Sequence, residues 1–497
     1  MARYEDVSNS HIIEGVAKPM IERFNLTMLT DFYELTMANG YFEKGLRDRV
    51  AYFDMFFRRI PDEGGFAIVA GLEQAVRFLE NMKFEEEDIN YLRNREKFSE
   101  EFLEYLRDFE FKCDVWAIPE GTPIFPGEPV LTVKGPVIQA QFIETILLLI
   151  INHQSLIATK ANRIVRAAKG RAVMEFGTRR AHAASSAIYG ARAAYIAGCV
   201  GTSCTIADRE FEVPAMGTMG HSWVQMFDSE YESFRAFAEL YPNNCTLLVD
   251  TYNVLKSGVP NAIRVFKEVK PNVMGIRIDS GDVTYLTKRA RIMLDEAGLP
   301  DCKIIISNSL DEYLIRDVIN QGAKIDSFGV GERLITARSE PVFGGVYKMV
   351  AIEKKGEIVP KIKISENIEK ITNPGFKSLF RLYDKDSGKA IADVITLDHE
   401  SIPNGSEYEI FDPQFIWKRK VVSNFQARNL RVKIFDRGKM VYKLPLIDEI
   451  REYCEAQIST LWDEILRFEN PHEYYVDLSK ELWDLKNDLI EQCSEKI

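Results

Sequence analysis

A chain of 497 residues with 46% hydrophobic and 28% charged residues has room for two or three domains and the composition of an ordinary globular protein. Its net charge of −12 argues against general nucleic-acid binding, which rewards an excess of Lys and Arg, but leaves room for a local basic pocket. Seven cysteines form no CxxC pair and no His/Cys cluster, which speaks against a disulfide framework or a structural zinc site and fits a reducing, cytoplasmic setting.

In chain order, the opening MARYEDVSNSHIIEG lacks the apolar core of a signal peptide. The first region, 1–135, is an α+β layer. RVAYFDMFFRRIP and DVWAIPEGTPIFPGEPVLTVKGP are predicted strands, with Gly and Pro marking turns, and GLEQAVRFLENM between them has helical spacing. The apolar run Ile146–Ile151 is far shorter than the about 20 residues that span a bilayer.

The second region, 136–350, alternates short apolar strands with amphipathic helices. Seven candidate strands are predicted: AVMEFG, AYIAGCVG, AMGTMGHS, TLLVDTY, VMGIRIDSG, KIIISNS and SFGVGE. Helical stretches such as NAIRVFKEVKP and VTYLTKRARIMLDEAG separate several of them, which suggests parallel β/α units closing into an irregular (β/α) barrel of the TIM type. The third region, 351–497, opens with charged strand-like pieces. It ends in acidic helical segments, IDEIREYCEAQISTLWDEILRFEN and LSKELWDLKNDLIEQC. It is read as strands returning to the N-terminal layer plus a helical tail.

Barrels of parallel strands carry their sites at the strands' C-terminal ends. There, unit after unit, this sequence places polar residues. They are Glu175, Thr178 and Arg179 after the first strand, Thr202 and Ser203 after the second, and Thr218 and His221 after the third. Asp250, Thr251 and Tyr252 follow the fourth, and Arg277, Asp279, Ser280 and Asp282 the fifth. Ser307 to Ser309 follow the sixth, and Gly329, Gly331 and Glu332 the seventh. Arginines with glycine-rich turns suit phosphates, and aspartates beside them suit Mg²⁺ or sugar hydroxyls. Each residue also has a plainer reading. Asp279 and Asp282 could cap helices, Ser309 could cap the helix after it, and a lone histidine is usually a core residue. No P-loop is present, and no cluster of metal-ligating side chains is read from the sequence. Taken alone, the strand ends describe an enzyme acting on a phosphorylated sugar or nucleotide, without giving the reaction.

LTDFYELTMANGYFEKG, EFGTRRAH, GTS, GTMGHSWV, LLVDTYN, RIDSGD and FGGVYKMV occur in that order over residues 27 to about 350. In this combination the sequence resembles the nicotinate phosphoribosyltransferases. The resemblance implies that nicotinic acid and 5-phosphoribosyl 1-diphosphate give nicotinate mononucleotide and diphosphate, a step of NAD salvage. It also implies ATP hydrolysis coupled through a phosphohistidine, with Mg²⁺, in a cytoplasmic homodimer whose subunits share a site. The histidine in GTMGHS is His221, one of only six histidines, and imidazole is a competent nucleophile toward the γ-phosphate.

By the same resemblance Tyr33 stacks on the pyridine ring from a partner subunit, and Arg179 lies on its other side. Thr218 and Arg277 contact nicotinate or the ribosyl group, and Asp279 stabilises charge developing on the ribose. Ser203, Asp250, Ser309, Gly329, Gly331 and Lys348 fall where the family binds phosphate or the ribosyl group. Glu332 stands where many members have a small hydroxyl residue. Nicotinamide-using relatives carry an aspartate at the place of Ser203, so nicotinic acid is the favoured substrate over nicotinamide. The remaining alternative is a non-catalytic nucleotide-binding barrel. Beyond about residue 400 the resemblance offers nothing to read.

Overall fold

The computed structural model describes residues 25–367 and 370–494; the opening read for a signal peptide lies outside them. One seven-stranded sheet runs in the order Glu357–Pro360, Val346–Lys354, Val50–Phe56, Leu131–Pro136, Asp114–Ala117, Val432–Asp436, Lys439–Met440. Every pairing in it is antiparallel. Strands from before residue 137 and after residue 345 thus share one ladder. Its centre is covered on both faces, since residues 51–55 are all buried. Phe53 there stacks on Tyr347 with ring centroids 5.0 Å apart.

The apolar run of residues 146–151 belongs to the helix Glu144–Ala167. Together with the preceding turn, the segment Val137–Ala167 has the length and hydropathy of a membrane span, but 67% of its most apolar window is buried in the protein. The helix carries buried charge that only a protein interior with partners accommodates. Lys160 Nζ lies 2.9 Å from both Asp62 and Glu312, and Arg163 Nε lies 2.8 Å from Glu312. This is a core helix.

Six strands form a curled, wholly parallel sheet: β1 Ala172–Glu175, β2 Gly201–Thr202, β3 Cys245–Leu248, β4 Met274–Ile278, β5 Lys303–Ile306 and β6 Ser327–Val330. Their order is β2-β1-β6-β5-β4-β3. β1 pairs with β6 as well as β2, so the sequence order closes on itself everywhere except between β2 and β3. The predicted strand AMGTMGHS belongs in that gap and does not form. Only Ala215 bridges to Thr202 there, and Asn244 Nδ2 reaches the Gly217 carbonyl at 3.4 Å. Pro214 lacks an N–H, and Gly217 and Gly220 have no side chains to pack, so the segment stays extended without a ladder. The seven-strand reading is corrected to six, in a half-barrel. AYIAGCVG is corrected too: its alanines continue the helix Ala184–Ile196, and the strand is only Gly201–Thr202.

The third region holds a further sheet, ordered Phe425–Asn429, Lys377–Asp384, Ala390–Leu397, Val476–Leu478. Of the long acidic segment, only Ile447–Ser459 is helical. Past it, the Trp462 indole donates to the Ala390 carbonyl at 2.9 Å, which ties the chain to the sheet instead.

Candidate active site

The C-terminal ends of β3 and β4 are bound together by one carboxylate. Asp250, just past β3, accepts from the Asp279 backbone N–H at 3.1 Å and from the Ser280 hydroxyl at 2.6 Å. Asp279 in turn accepts from Ser307, past β5, at 2.6 Å. Arg277, inside β4, donates through Nη1 to the Thr218 hydroxyl, and its Nε is buried without a partner. Burial lowers the Arg277 pKa; Asp279 and Asp250 oppose that shift, and the nearby Arg179 reinforces it. A cation held this way is short of negative charge.

His221 starts a short helical turn, with Nδ1 3.1 Å from the Thr251 hydroxyl. Space stays open beside the turn. A side chain added at Gly217 would meet nothing within 4 Å, and one at Gly220 only Ser222 Oγ at 3.7 Å. One set of contacts therefore gathers Thr218 with Arg277, another Asp250 with Asp279, and Thr251, next to Asp250, holds His221.

At the end of β1 a second brace forms. Glu175 is buried and accepts from the Gly177 N–H and from Thr202 Oγ1, the latter at 2.6 Å. Burial pushes its carboxyl pKa up, against those two hydrogen bonds. The brace fixes the turn Thr178–Arg180, where Thr178 and Ser203 share a hydroxyl contact of 2.9 Å. Arg179 on this turn is exposed and makes no hydrogen bond or ion pair among the described residues.

Three family models match in succession: the nicotinate phosphoribosyltransferase N-terminal domain over residues 28–152, the family's central model over 171–385, and its C-terminal domain over 376–486. A nicotinate phosphoribosyltransferase of Bacillus subtilis is 44% identical over 95% of this chain and 97% of its own. A human one is 30% identical over 93% and 96%. The crystal structure of human nicotinic acid phosphoribosyltransferase superposes with a TM-score of 0.82 at 28% identity, over 93% of this chain and all of that one. The chain belongs to the nicotinate phosphoribosyltransferase family. It is an enzyme family, and the match to residues 376–486 extends the likeness past residue 400, where the motifs alone gave nothing.

Other residues that the resemblance to nicotinate phosphoribosyltransferases singles out stand apart from this group. Tyr33, at the start of the helix Phe32–Glu43, is 47% exposed beside exposed Leu26, Leu29 and Phe32. Partial burial, with Glu144 and Glu34 nearby, pushes its hydroxyl up to about 12. Lys348 Nζ lies 3.4 Å from the same Glu144. Among the described residues no hydrogen bond or ion pair joins Tyr33 or Lys348 to Arg277, Asp279 or His221.

Gly329 and Gly331 have packing reasons to be glycine. A side chain at Gly329 would come within 2.5 Å of the Phe176 ring, and one at Gly331 within 2.9 Å of the Phe176 carbonyl. Ser309 is exposed and does not cap the next helix; Asp311 does, accepting from Leu314 N–H at 2.8 Å. Asp282 is the cap of Val283–Glu296, which leaves Asp279 free of that duty. Glu34 and Glu144 were not read from the sequence at all. Their one signal is an acidic residue inside an otherwise apolar helical stretch.

Proposed function

We propose that this chain joins nicotinic acid to 5-phosphoribosyl 1-diphosphate, giving nicotinate mononucleotide and diphosphate for NAD salvage in the cytoplasm. The observation that carries the reading is the pair Arg277 and Arg179. Arg277 has a buried nitrogen without a partner and touches Thr218, Arg179 makes no hydrogen bond or ion pair among the described residues, and the two lie near each other at the strand ends. The nicotinate carboxylate is the anion such a pair takes, in a charge-assisted contact. Ser203 adds no negative charge there, which favours the acid over nicotinamide.

Asp279, fixed by Ser307 and Asp250, faces the ribose and stabilises the positive charge that develops as diphosphate departs. Mg²⁺ would bind with the diphosphate and would neutralise charge on the leaving group. Among the described residues no three His, Cys, Asp or Glu side chains converge on one point. Asp250 and Asp279, joined at the strand ends, would hold such an ion, and carboxylate oxygens suit Mg²⁺. Ser309, Lys348 and the Gly329–Gly331 backbone contribute to phosphate binding. ATP enters as co-substrate, with its γ-phosphoryl group passing to His221, whose flanking glycines leave the room.

The curled sheet then works as an irregular barrel, with residues 215–219 filling the gap between β2 and β3. Tyr33 completes the site of a second subunit, which accounts for its exposure with Leu26, Leu29 and Phe32. Incubating the protein with labelled nicotinate and 5-phosphoribosyl 1-diphosphate, with and without ATP, tests the reaction. Labelled mononucleotide is expected, in greater yield with ATP; product from nicotinamide but not nicotinate would overturn the reading. Mixed dimers of the Tyr33→Ala and His221→Ala variants are expected to regain part of the lost activity, and a fully active monomer would exclude the shared site.

A further inference from the structure

Among the described residues the His221 ring reaches one hydrogen-bond partner, the Thr251 hydroxyl, through Nδ1 at 3.1 Å. A hydroxyl can donate to a bare ring nitrogen or accept from a protonated one. If Thr251 donated, Nδ1 would use its lone pair on the hydroxyl and Nε2 would carry the ring hydrogen. Neither nitrogen could then attack. If Thr251 accepts, the hydrogen sits on Nδ1 and Nε2 keeps a free lone pair. Only the second arrangement makes the ring a nucleophile as it stands.

Thr251 is itself held firmly. Asp250 before it is clamped by the Asp279 N–H and the Ser280 hydroxyl. Asn253 after it caps the following turn, accepting from Lys256 N–H at 2.8 Å. That turn folds back so closely that a side chain on Gly258 would lie 1.9 Å from the Val249 carbonyl oxygen. The loop is pinned at both ends, and the β-branched Thr251 has few rotamers within it. Its hydroxyl is a fixed post against which the imidazole turns into one orientation.

We infer that Thr251 is a positioning residue that keeps the hydrogen of His221 on Nδ1 and assigns the phosphoryl group to Nε2. The inference rests on the proposed ATP reaction at His221 and adds to it the reacting atom and the group that selects it. In the step, the Nε2 lone pair forms the N–P bond as the bond from the γ-phosphorus to the β,γ-bridging oxygen breaks. ADP leaves with that electron pair. The proton stays on Nδ1, where the Thr251 oxygen stabilises the positive charge the ring acquires.

The test labels wild type, Thr251→Val and Thr251→Ser with γ-labelled ATP, then resolves the two phosphohistidine isomers by ³¹P NMR of the alkali-denatured protein. Wild type is expected to carry the Nε2 isomer. Thr251→Val keeps the shape of the side chain but is expected to label about tenfold more slowly, the value of one lost hydrogen bond, with both isomers present. Thr251→Ser restores the hydroxyl and is expected to recover most of the rate and the single isomer. That recovery separates positioning from a general structural role. The Nδ1 isomer in wild type overturns the inference, and so does a valine variant that labels at the wild-type rate with one isomer. If wild type forms labelled mononucleotide yet takes no phosphate onto His221, the ATP-coupling proposal itself fails and this inference with it. The product assay tells that case from the others.

Discussion

Two deeply set arginines are treated in opposite ways. Arg381, at the seam between the N-terminal and C-terminal strands, is fully buried and clasps Asp393 through Nε at 2.8 Å and Nη2 at 2.6 Å. Nη2 also reaches the Pro123 carbonyl at 2.9 Å, and Tyr474 donates to Asp393 at 2.8 Å. Arg192, where the helix Ala184–Ile196 meets the N-terminal layer, repeats the scheme with both oxygens of Glu120 at 2.8 and 2.9 Å. Arg277 at the strand ends has one hydroxyl partner and a buried nitrogen with none. Each of the three keeps one buried nitrogen without a partner, but the charges that join elements are clasped by carboxylates, whereas Arg277 hydrogen-bonds to a hydroxyl. Burial alone does not distinguish the two classes; a carboxylate in direct contact does.

The largest effect expected from breaking this contrast is on stability, at the seam. Asp393→Ala leaves Arg381 buried without the carboxylate it clasps, and is expected to destabilise the fold by about 3–5 kcal/mol. Denaturant unfolding followed by far-UV circular dichroism measures it, with turnover per folded molecule little changed. A loss below about 1 kcal/mol would show that the seam ion pair is as dispensable as a surface one.

The next effect is on activity, at the site. Arg277→Ala removes a charge-assisted contact worth about 1.5–3 kcal/mol, roughly 10- to 150-fold in kcat/KM for nicotinate. Its unfolding midpoint is expected to stay near wild type, because no carboxylate loses its only partner. If Arg277→Ala unfolds early while its folded fraction keeps normal kinetics, the two arginines belong to one class and the contrast falls.

The two classes were unequally legible in the sequence. The site could be read because β/α alternation places every strand end on one side, so polar residues after apolar runs collect without any knowledge of packing. Asp250, Arg277, Asp279, Thr218 and His221 were picked out that way, and the structure gathers them, although the strand expected before Thr218 and His221 does not form. Thr251 was seen at a strand end but given no task, since a threonine becomes a positioning group only through what faces it. Seam residues such as Asp393 and Arg381 were invisible, because ordinary charged residues on strands pair across distances in sequence that no local pattern encodes. The same limit explains the missing third strand. Its apolar residues suggested a ladder, while Pro214 and two glycines removed the N–H and the side chains that a ladder needs. It also explains why the packing of Phe176 against Gly329 and Gly331 was not legible in that glycine-rich turn.

Glu34 stands outside both classes, and the smallest expected effect sharpens the contrast there. It is fully buried, yet among the described residues its side chain accepts from two hydroxyls: Thr30 at 2.5 Å and Thr145 at 3.2 Å. Burial pushes its carboxyl up to about 7 from an ordinary 4.5, with Glu144 and Asp31 adding to the rise and the two hydroxyls opposing it. Lacking a cation, it meets the demand of burial by keeping a proton. Between about pH 4.5 and 7 the folded chain therefore holds more proton at this position than the unfolded chain does. With more protons bound in the folded state, stability must fall as pH rises through that window and level off above it. Glu34→Gln keeps the shape without the titration. Unfolding midpoints taken from about pH 5 to 8 should show wild type losing stability relative to the glutamine variant over that span. Each curve contains every other titrating group, so only their difference reports on Glu34. Parallel curves would mean that the carboxylate is charged in the fold and has found a partner, which would return it to the class of Asp393.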